Sequence, residues 1–130
     1  DDMEMLRGVL AVGIDFGPAY FLVNLPFYVL AWTRMGAAFT FKTQAYPGWD
    51  GTVNCRFLEI ERHRKLSYTW VVGDMLDTVV TFTLTPTASG TRLSIVQSGF
   101  RPDQKQEFGG ARYGWRMMGG KLVDLLERIP

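Results

Sequence analysis

The last third of the chain places the tightest constraint on how it folds. Between 103 and 129, apolar residues fall at Phe108, Ala111, Trp115, Met118, Leu122, Leu125 and Ile129. Steps alternating between three and four put these residues on one helical stripe. Asp103 is positioned to cap the free amides, with Gln106 three residues on at the capping-box position, and Asp124 and Arg128 form an i,i+4 pair near the far end. The same segment carries glycines at 109, 110, 114, 119 and 120. Each costs about 1 kcal/mol relative to alanine in a helix interior. Either close approach to another surface or a need to leave room beside the helix would offset that cost. A glycine-rich amphipathic helix bearing Trp115 and two methionines therefore reads as a lid over a concave surface.

The remainder of the chain is dominated by period two. A first strand is predicted over 6–16, where Leu10, Val12, Ile14 and Phe16 alternate with Ala11, Gly13 and Asp15 before Gly17-Pro18 ends it. Phe39 and Phe41 then alternate with Thr40 and Lys42, and a turn-rich segment follows at Tyr46-Pro47-Gly48-Trp49-Asp50-Gly51. Over 52–62, Val53, Cys55 and Phe57 share one parity while Leu58 and Ile60 take the other, and such a switch predicts a bulge. Leu66, Tyr68 and Trp70, then Val80, Phe82 and Leu84, then Leu93, Ile95 and Gln97 complete the series, the last after a turn at Ala88-Ser89-Gly90. Short turns between successive strands imply an antiparallel meander. Strands segregated from one long helix indicate an α+β domain whose sheet packs on that helix.

Between the first strand and the meander, residues 16–32 carry no charged side chain. At 17 residues this stretch sits at the lower limit of a bilayer crossing, and it contains Pro18, Asn24 and Pro26. Two short, mostly buried helices, over 19–24 and 27–33, fit the Pro26 break better than a membrane span. So many apolar residues exceed what two short helices turn inward, which makes 16–32 a candidate contact for a membrane surface, a second copy of the chain or another protein.

At 130 residues the chain is expected to form a single domain, 1–130. A net charge of +1 argues neither for nor against a charged partner, but no Lys/Arg run approaches a nucleic-acid footprint, and the basic cluster Arg62, His63, Arg64 and Lys65 reads as a solvated turn. Cys55 is the only cysteine, so no internal disulfide forms and a reducing, cytoplasmic setting is expected. It reads as a small buried hydrophobe. His63, the only histidine, is placed at a strand end, which leaves neither a Cys/His nucleophile pair nor a metal ligand set. No metal or cofactor is expected.

Aromatic residues make up 14% of the chain, enough to fill a large core or to line a cavity. The inward face of the sheet is expected to offer Phe39, Phe41, Tyr68, Trp70, Phe82 and Gln97, several of them with a polar tip. Such a surface suits a small, largely hydrophobic ligand with a few polar groups. Plain core packing is the competing account of each residue singly.

Segments spread along the chain are similar to a known group. They are Phe39-Thr40-Phe41, Tyr46-Pro47-Gly48-Trp49-Asp50-Gly51, Leu58-Glu59-Ile60-Glu61, Leu66-Ser67-Tyr68-Thr69-Trp70, Val79-Val80-Thr81-Phe82-Thr83-Leu84-Thr85-Pro86, Gly90-Thr91-Arg92-Leu93 and Ser98-Gly99-Phe100. Gly114-Trp115, Leu122 and Leu126 complete the pattern. Over residues 32–130 the chain resembles the START-like helix-grip (SRPBCC) superfamily, and within it the bacterial homologues of the activator of heat shock protein 90 ATPase. The resemblance implies a curved antiparallel sheet wrapped around a long C-terminal helix, with two short helices after the first strand. It also implies a hydrophobic ligand held between helix and sheet. The chain departs from the family pattern at Gln97, where a histidine is usual, and at Arg62 and His63, where prolines are usual.

Three functional classes follow. The leading one is a non-catalytic binder of a small hydrophobic or aromatic molecule, contacted by Trp32, Phe39, Phe41, Tyr68, Trp70, Phe82, Gln97, Ala111, Trp115 and Met118. The second is a polyketide cyclase/aromatase-like or hydrolase-like enzyme using the same cavity, in which Tyr68, Gln97 and Tyr113 serve without a triad. No paired carboxylates are expected on the inward face, since Asp74 and Asp77 fall in a predicted hairpin loop. The third is a co-chaperone-like interaction module tied to the stress response, which the resemblance suggests and for which the apolar stretch 16–32 and the cluster Arg62 to Lys65 are the surface features.

Overall fold

The computed structural model describes residues 7–16, 36–42, 45 and 47–127. Six strands run in the order β1 (Val9–Phe16), β2 (Ala38–Lys42), β3 (Thr52–Glu61), β4 (Lys65–Val72), β5 (Leu76–Pro86) and β6 (Thr91–Ser98), followed by the helix α1 (Lys105–Glu127). All belong to one antiparallel sheet ordered β1-β6-β5-β4-β3-β2. Strands β2 to β6 form the expected meander, and β1 completes the sheet on the far side of β6. This is an α+β, helix-grip arrangement. The two expected short helices, the apolar stretch beyond Phe16 and Trp32 lie outside the described residues.

Alternation along the strands decides which face is buried. Leu10 and Val12 of β1, Val53, Cys55 and Phe57 of β3, Val80 and Leu84 of β5, and Leu93 and Ile95 of β6 all join one core with Phe108 and Trp115 of α1. Each such side chain contributes roughly 1.5–3 kcal/mol by leaving water. The register shifts between Phe57 and Glu59, where the parity switch predicts a bulge. One consequence differs from the sequence expectation: Leu58 does not share Ile60's environment, being 46% exposed while Ile60 packs against the core.

Turn chemistry closes the hairpins. His63 adopts a φ of 67° in the β3–β4 turn, Gly73 a φ of 46° in the β4–β5 turn, and Thr87 donates to the Gly90 carbonyl at 2.8 Å before β6. Arg64 pairs with Glu61, and Lys65 lies 3.1 Å from Glu59. The basic cluster is thus a turn whose charges are partly matched by neighbouring acids. Asp74 occupies the β4–β5 turn, whereas Asp77 lies within β5 opposite Val71.

Two boundaries differ from those read off the sequence. The first strand begins at Val9 because Gly8 takes a φ of 67°, and its carbonyl accepts from Gly99 and Phe100 at 3.0 and 3.2 Å. A Cβ at Gly8 would run into the Phe100 carbonyl oxygen. The helix begins at Lys105, and Gln104 takes the place expected of Asp103. The Gln104 carbonyl accepts from Phe108 at 3.0 Å, which makes Gln104 the capping position. Its side-chain oxygen accepts from Arg101 N at 2.8 Å and its amide donates to the Met75 carbonyl. Asp103 instead faces Arg101, at 3.3 Å.

The helical stripe also turns. Phe108 and Trp115 are buried as expected, but Leu125 is 55% exposed and Met118 sits at the margin. Leu122 packs against the core as expected, and Gly119 and Val123 join it in the contact. The cause is β1: a Cβ on Gly119 would strike Cδ1 of Ile14, with Cγ1 at 3.0 Å. The absent side chain lets the second half of α1 close on that strand. Ile129 and Arg128, the expected partner of Asp124, lie outside the described residues. No helix among the described residues is long and apolar enough to cross a membrane.

Candidate functional site

Where α1 crosses the sheet it leaves a cavity of about 630 Å³. The helix lines it with Gln106, Glu107, Gly110, Ala111, Gly114, Trp115 and Met118. They recur at four-residue intervals as adjacent pairs ending in Met118, which keeps them along one side of α1. No described atom lies within 4 Å of where a Cβ on Gly110 or Gly114 would stand. Both suggested uses of glycine are therefore present in one helix: Gly119 permits contact with β1, while Gly110 and Gly114 leave room.

The sheet supplies the opposite wall, with Val53 from β3, Trp70 and Val72 from β4, Leu76 from β5 and Gln97 from β6. Trp49 and Met75 come from turns. Trp49 is held by its own loop. Its indole N–H donates to the Thr52 carbonyl at 3.0 Å, and the Asp50 carboxylate accepts from Thr52 N at 3.0 Å. The hydrogen bonds from Thr52 hold the Asp50 carboxyl below its ordinary range.

A buried polar relay joins the helix to three strands. Trp115 Nε1 donates to Gln97 Oε1 at 2.8 Å, Gln97 Nε2 donates to Thr78 Oγ1 at 2.9 Å, and Thr78 Oγ1 donates to the Trp70 carbonyl at 2.9 Å. Gln97 and Thr78 are each only 1% exposed. In such surroundings an unpaired donor costs its full desolvation, so the relay fixes which rotamers Trp115 and Gln97 adopt. Gln97 therefore serves first to seat the roof tryptophan, and it also borders the cavity.

Of the ten residues expected at the site, Trp70, Gln97, Ala111, Trp115 and Met118 line this cavity. Phe39, Phe41, Tyr68 and Phe82 do not. They pack on one another: Phe39 stacks on Phe57 at 4.4 Å between ring centroids, Tyr68 meets Phe39 at 5.3 Å and Phe82 at 5.8 Å, and Phe41 tilts against Trp70 at 5.6 Å. Phe82 continues the cluster to Trp115 at 5.6 Å. Aromatic rings on adjacent strands lie within reach of each other, so these four spend their faces on mutual contact. Burial drives the Tyr68 hydroxyl pKa strongly upward, and Tyr113 is 68% exposed, bordering a separate hollow with Arg112, Arg116 and Met117. The trio Tyr68, Gln97 and Tyr113 is therefore not assembled. Cys55 is buried in β3, where desolvation pushes its thiol up to about 11, far from thiolate chemistry at neutral pH.

Known proteins with this arrangement are numerous. Residues 23–127 match the sequence profile of the family described as activator of Hsp90 ATPase homolog 1-like protein. Protein MLL2253 from Mesorhizobium loti has a similar structure, with a TM-score of 0.77 and 33% identity over 94% of this chain and 98% of that one. DynU16, from the dynemicin biosynthetic locus, gives a TM-score of 0.68 at 21% identity over 93% of this chain and 48% of its own. The Aha1 dimer from Colwellia psychrerythraea gives 0.62 at 14% identity, covering 92% of this chain and 95% of that one. No functionally curated protein matches the sequence. On the extent of the family match and the sheet-and-helix architecture that accompanies it, the chain belongs to the activator of Hsp90 ATPase homolog 1-like family, within the START-like helix-grip superfamily.

Proposed function

We propose that the protein binds a small hydrophobic or aromatic molecule in the cavity under α1, without transforming it. The observation that carries this reading is the pairing of a 630 Å³ space with helix glycines that leave it clear of side chains. A volume of that size lies in the range of small-molecule sites, and its wall is mostly apolar with a few fixed polar groups. Trp70, Gln97, Ala111, Trp115 and Met118 are the contacts of this reading. Its setting is the cytoplasm. Native mass spectrometry and thermal-shift screening against lipids, flavonoids and polyketides test it. A retained adduct together with a raised Tm supports binding, and a screen with no hit in any of these classes or among other small aromatic compounds refutes it.

A biosynthetic-locus relative motivates the enzymatic alternative, but Gln97 and the Trp115 indole are engaged with each other, and the Trp49 indole with the Thr52 carbonyl, rather than converging on a reacting centre. The Aha1 dimer motivates a test of self-association by light scattering. A dimer whose subunits separate on substitution within 16–32 would assign that stretch to the interface.

A further inference from the structure

The chemistry of the cavity wall restricts the charge of its occupant. Three tryptophans, Trp49, Trp70 and Trp115, border the space, and Met75 and Met118 add two polarisable thioethers. The indole N–H groups of Trp49 and Trp115 are already committed, one to the Thr52 carbonyl and the other to Gln97, so both rings offer the ligand carbon rather than a donor. Gln97 Nε2 likewise donates to Thr78. Among the described lining residues the only ionisable side chain is Glu107, in the first turn of α1, and no Lys, Arg or His joins it. An anion entering this space meets a carboxylate and aromatic faces, with no counter-charge. A cation meets what attracts it: indole π-systems among the lining residues and one acidic group beside them.

We propose that the cavity selects ligands carrying a cationic nitrogen, an aromatic or alkyl amine, over neutral molecules and carboxylates of the same shape. This charge preference presupposes that the cavity takes a ligand at all, and one matched series separates the two. Tryptamine, tryptophol and indole-3-acetate present one ring system with a cationic, a neutral and an anionic tail. Their affinities for the full chain are measured by protein-observed NMR titration at low salt. Tryptamine is expected to bind about ten-fold more tightly than tryptophol, the sum of a cation–π contact and one screened charge pair, with indole-3-acetate weakest. Glu107→Gln should cut the tryptamine advantage several-fold and leave tryptophol unchanged. Asp103→Asn, which alters an exposed acid outside the cavity lining, should change neither. Raising the ionic strength should weaken tryptamine alone.

Equal affinity across the series, or tighter binding of indole-3-acetate, overturns the charge preference while leaving the ligand-binding reading intact. Binding of none of the three, together with an empty lipid and polyketide screen, overturns both. A tryptamine preference that survives Glu107→Gln undiminished removes the carboxylate from the proposal and refutes it in this form.

Discussion

Gln97→Leu isolates the relay that seats Trp115. The substitution keeps an apolar side chain as far as Cδ but removes the acceptor 2.8 Å from Trp115 Nε1 and the donor 2.9 Å from Thr78 Oγ1. Thr78 still donates to the Trp70 carbonyl at 2.9 Å, so its loss is small. The stranded indole N–H is the main cost, about 1–3 kcal/mol for a buried donor left without a partner. Burying leucine in place of an amide returns part of this, which leaves a net destabilisation of about 1–2 kcal/mol. Trp115→Phe removes the N–H itself, so Gln97→Leu should cost at least about 1 kcal/mol less in that background. The measurement is a double-mutant cycle by urea denaturation followed by circular dichroism, since tryptophan fluorescence changes with the substitution. Additive effects, with coupling below about 0.3 kcal/mol, would refute a relay that works as a unit.

Other perturbations probe the glycines and the buried thiol. Gly114→Leu fills space in which no described atom lies within 4 Å of its Cβ; ligand retention by native mass spectrometry should vanish while Tm holds or rises, since leaving glycine favours the helix by nearly 1 kcal/mol. Gly119→Ala should act oppositely, lowering stability by about 1–3 kcal/mol through overpacking on Ile14, and Ile14→Val, which deletes the Cδ1 that the new methyl strikes, should restore most of the loss in urea titration. Cys55 should resist thiol reagents at pH 8 until the chain is unfolded. Its folded pKa, about 11, exceeds its ordinary 9.0, so the folded chain holds this proton more tightly. Its contribution is therefore full below pH 9 and is lost as pH rises towards 11, and Cys55→Ala should show a shallower decline across that window.

Much of this architecture is written in local pattern. The parity of Leu93, Ile95 and Gln97 predicts the buried face of β6, and the parity break after Phe57 predicts the bulge. Pattern fails where a neighbour distant in sequence decides the outcome. The heptad-like spacing of α1 makes Leu125 equivalent to Leu122, yet β1 lies beside Gly119 and turns the buried stripe away from Leu125. Thr78 sits at the centre of the relay, though a threonine in an alternating strand gives no sign of a buried hydroxyl. Trp49 lines the cavity because its loop folds back on Thr52. The only sequence sign was a large aromatic lodged among turn formers. Phe39, Tyr68 and Phe82 show the opposite error: their inward parity was legible, but not that their rings would meet each other before they met a ligand.

The position of β1 in the sheet governs the order in which the chain assembles. Each hairpin from β2 to β6 joins neighbours in sequence, whereas β1 pairs with β6, from Val9 opposite Ser98 to Phe16 opposite Thr91. Closing the loop from Phe16 to Thr91 carries an entropy cost of roughly 4 kcal/mol, many times the increment separating one short hairpin from another. Of the six described strands, the one synthesised before the others is therefore the one that docks last, after the meander has formed. The second half of α1, resting on Ile14 through Gly119, settles with it. The β6 edge thus stays unsatisfied until β1 reaches it, and that interval is when the protein is most open to pairing with a second copy.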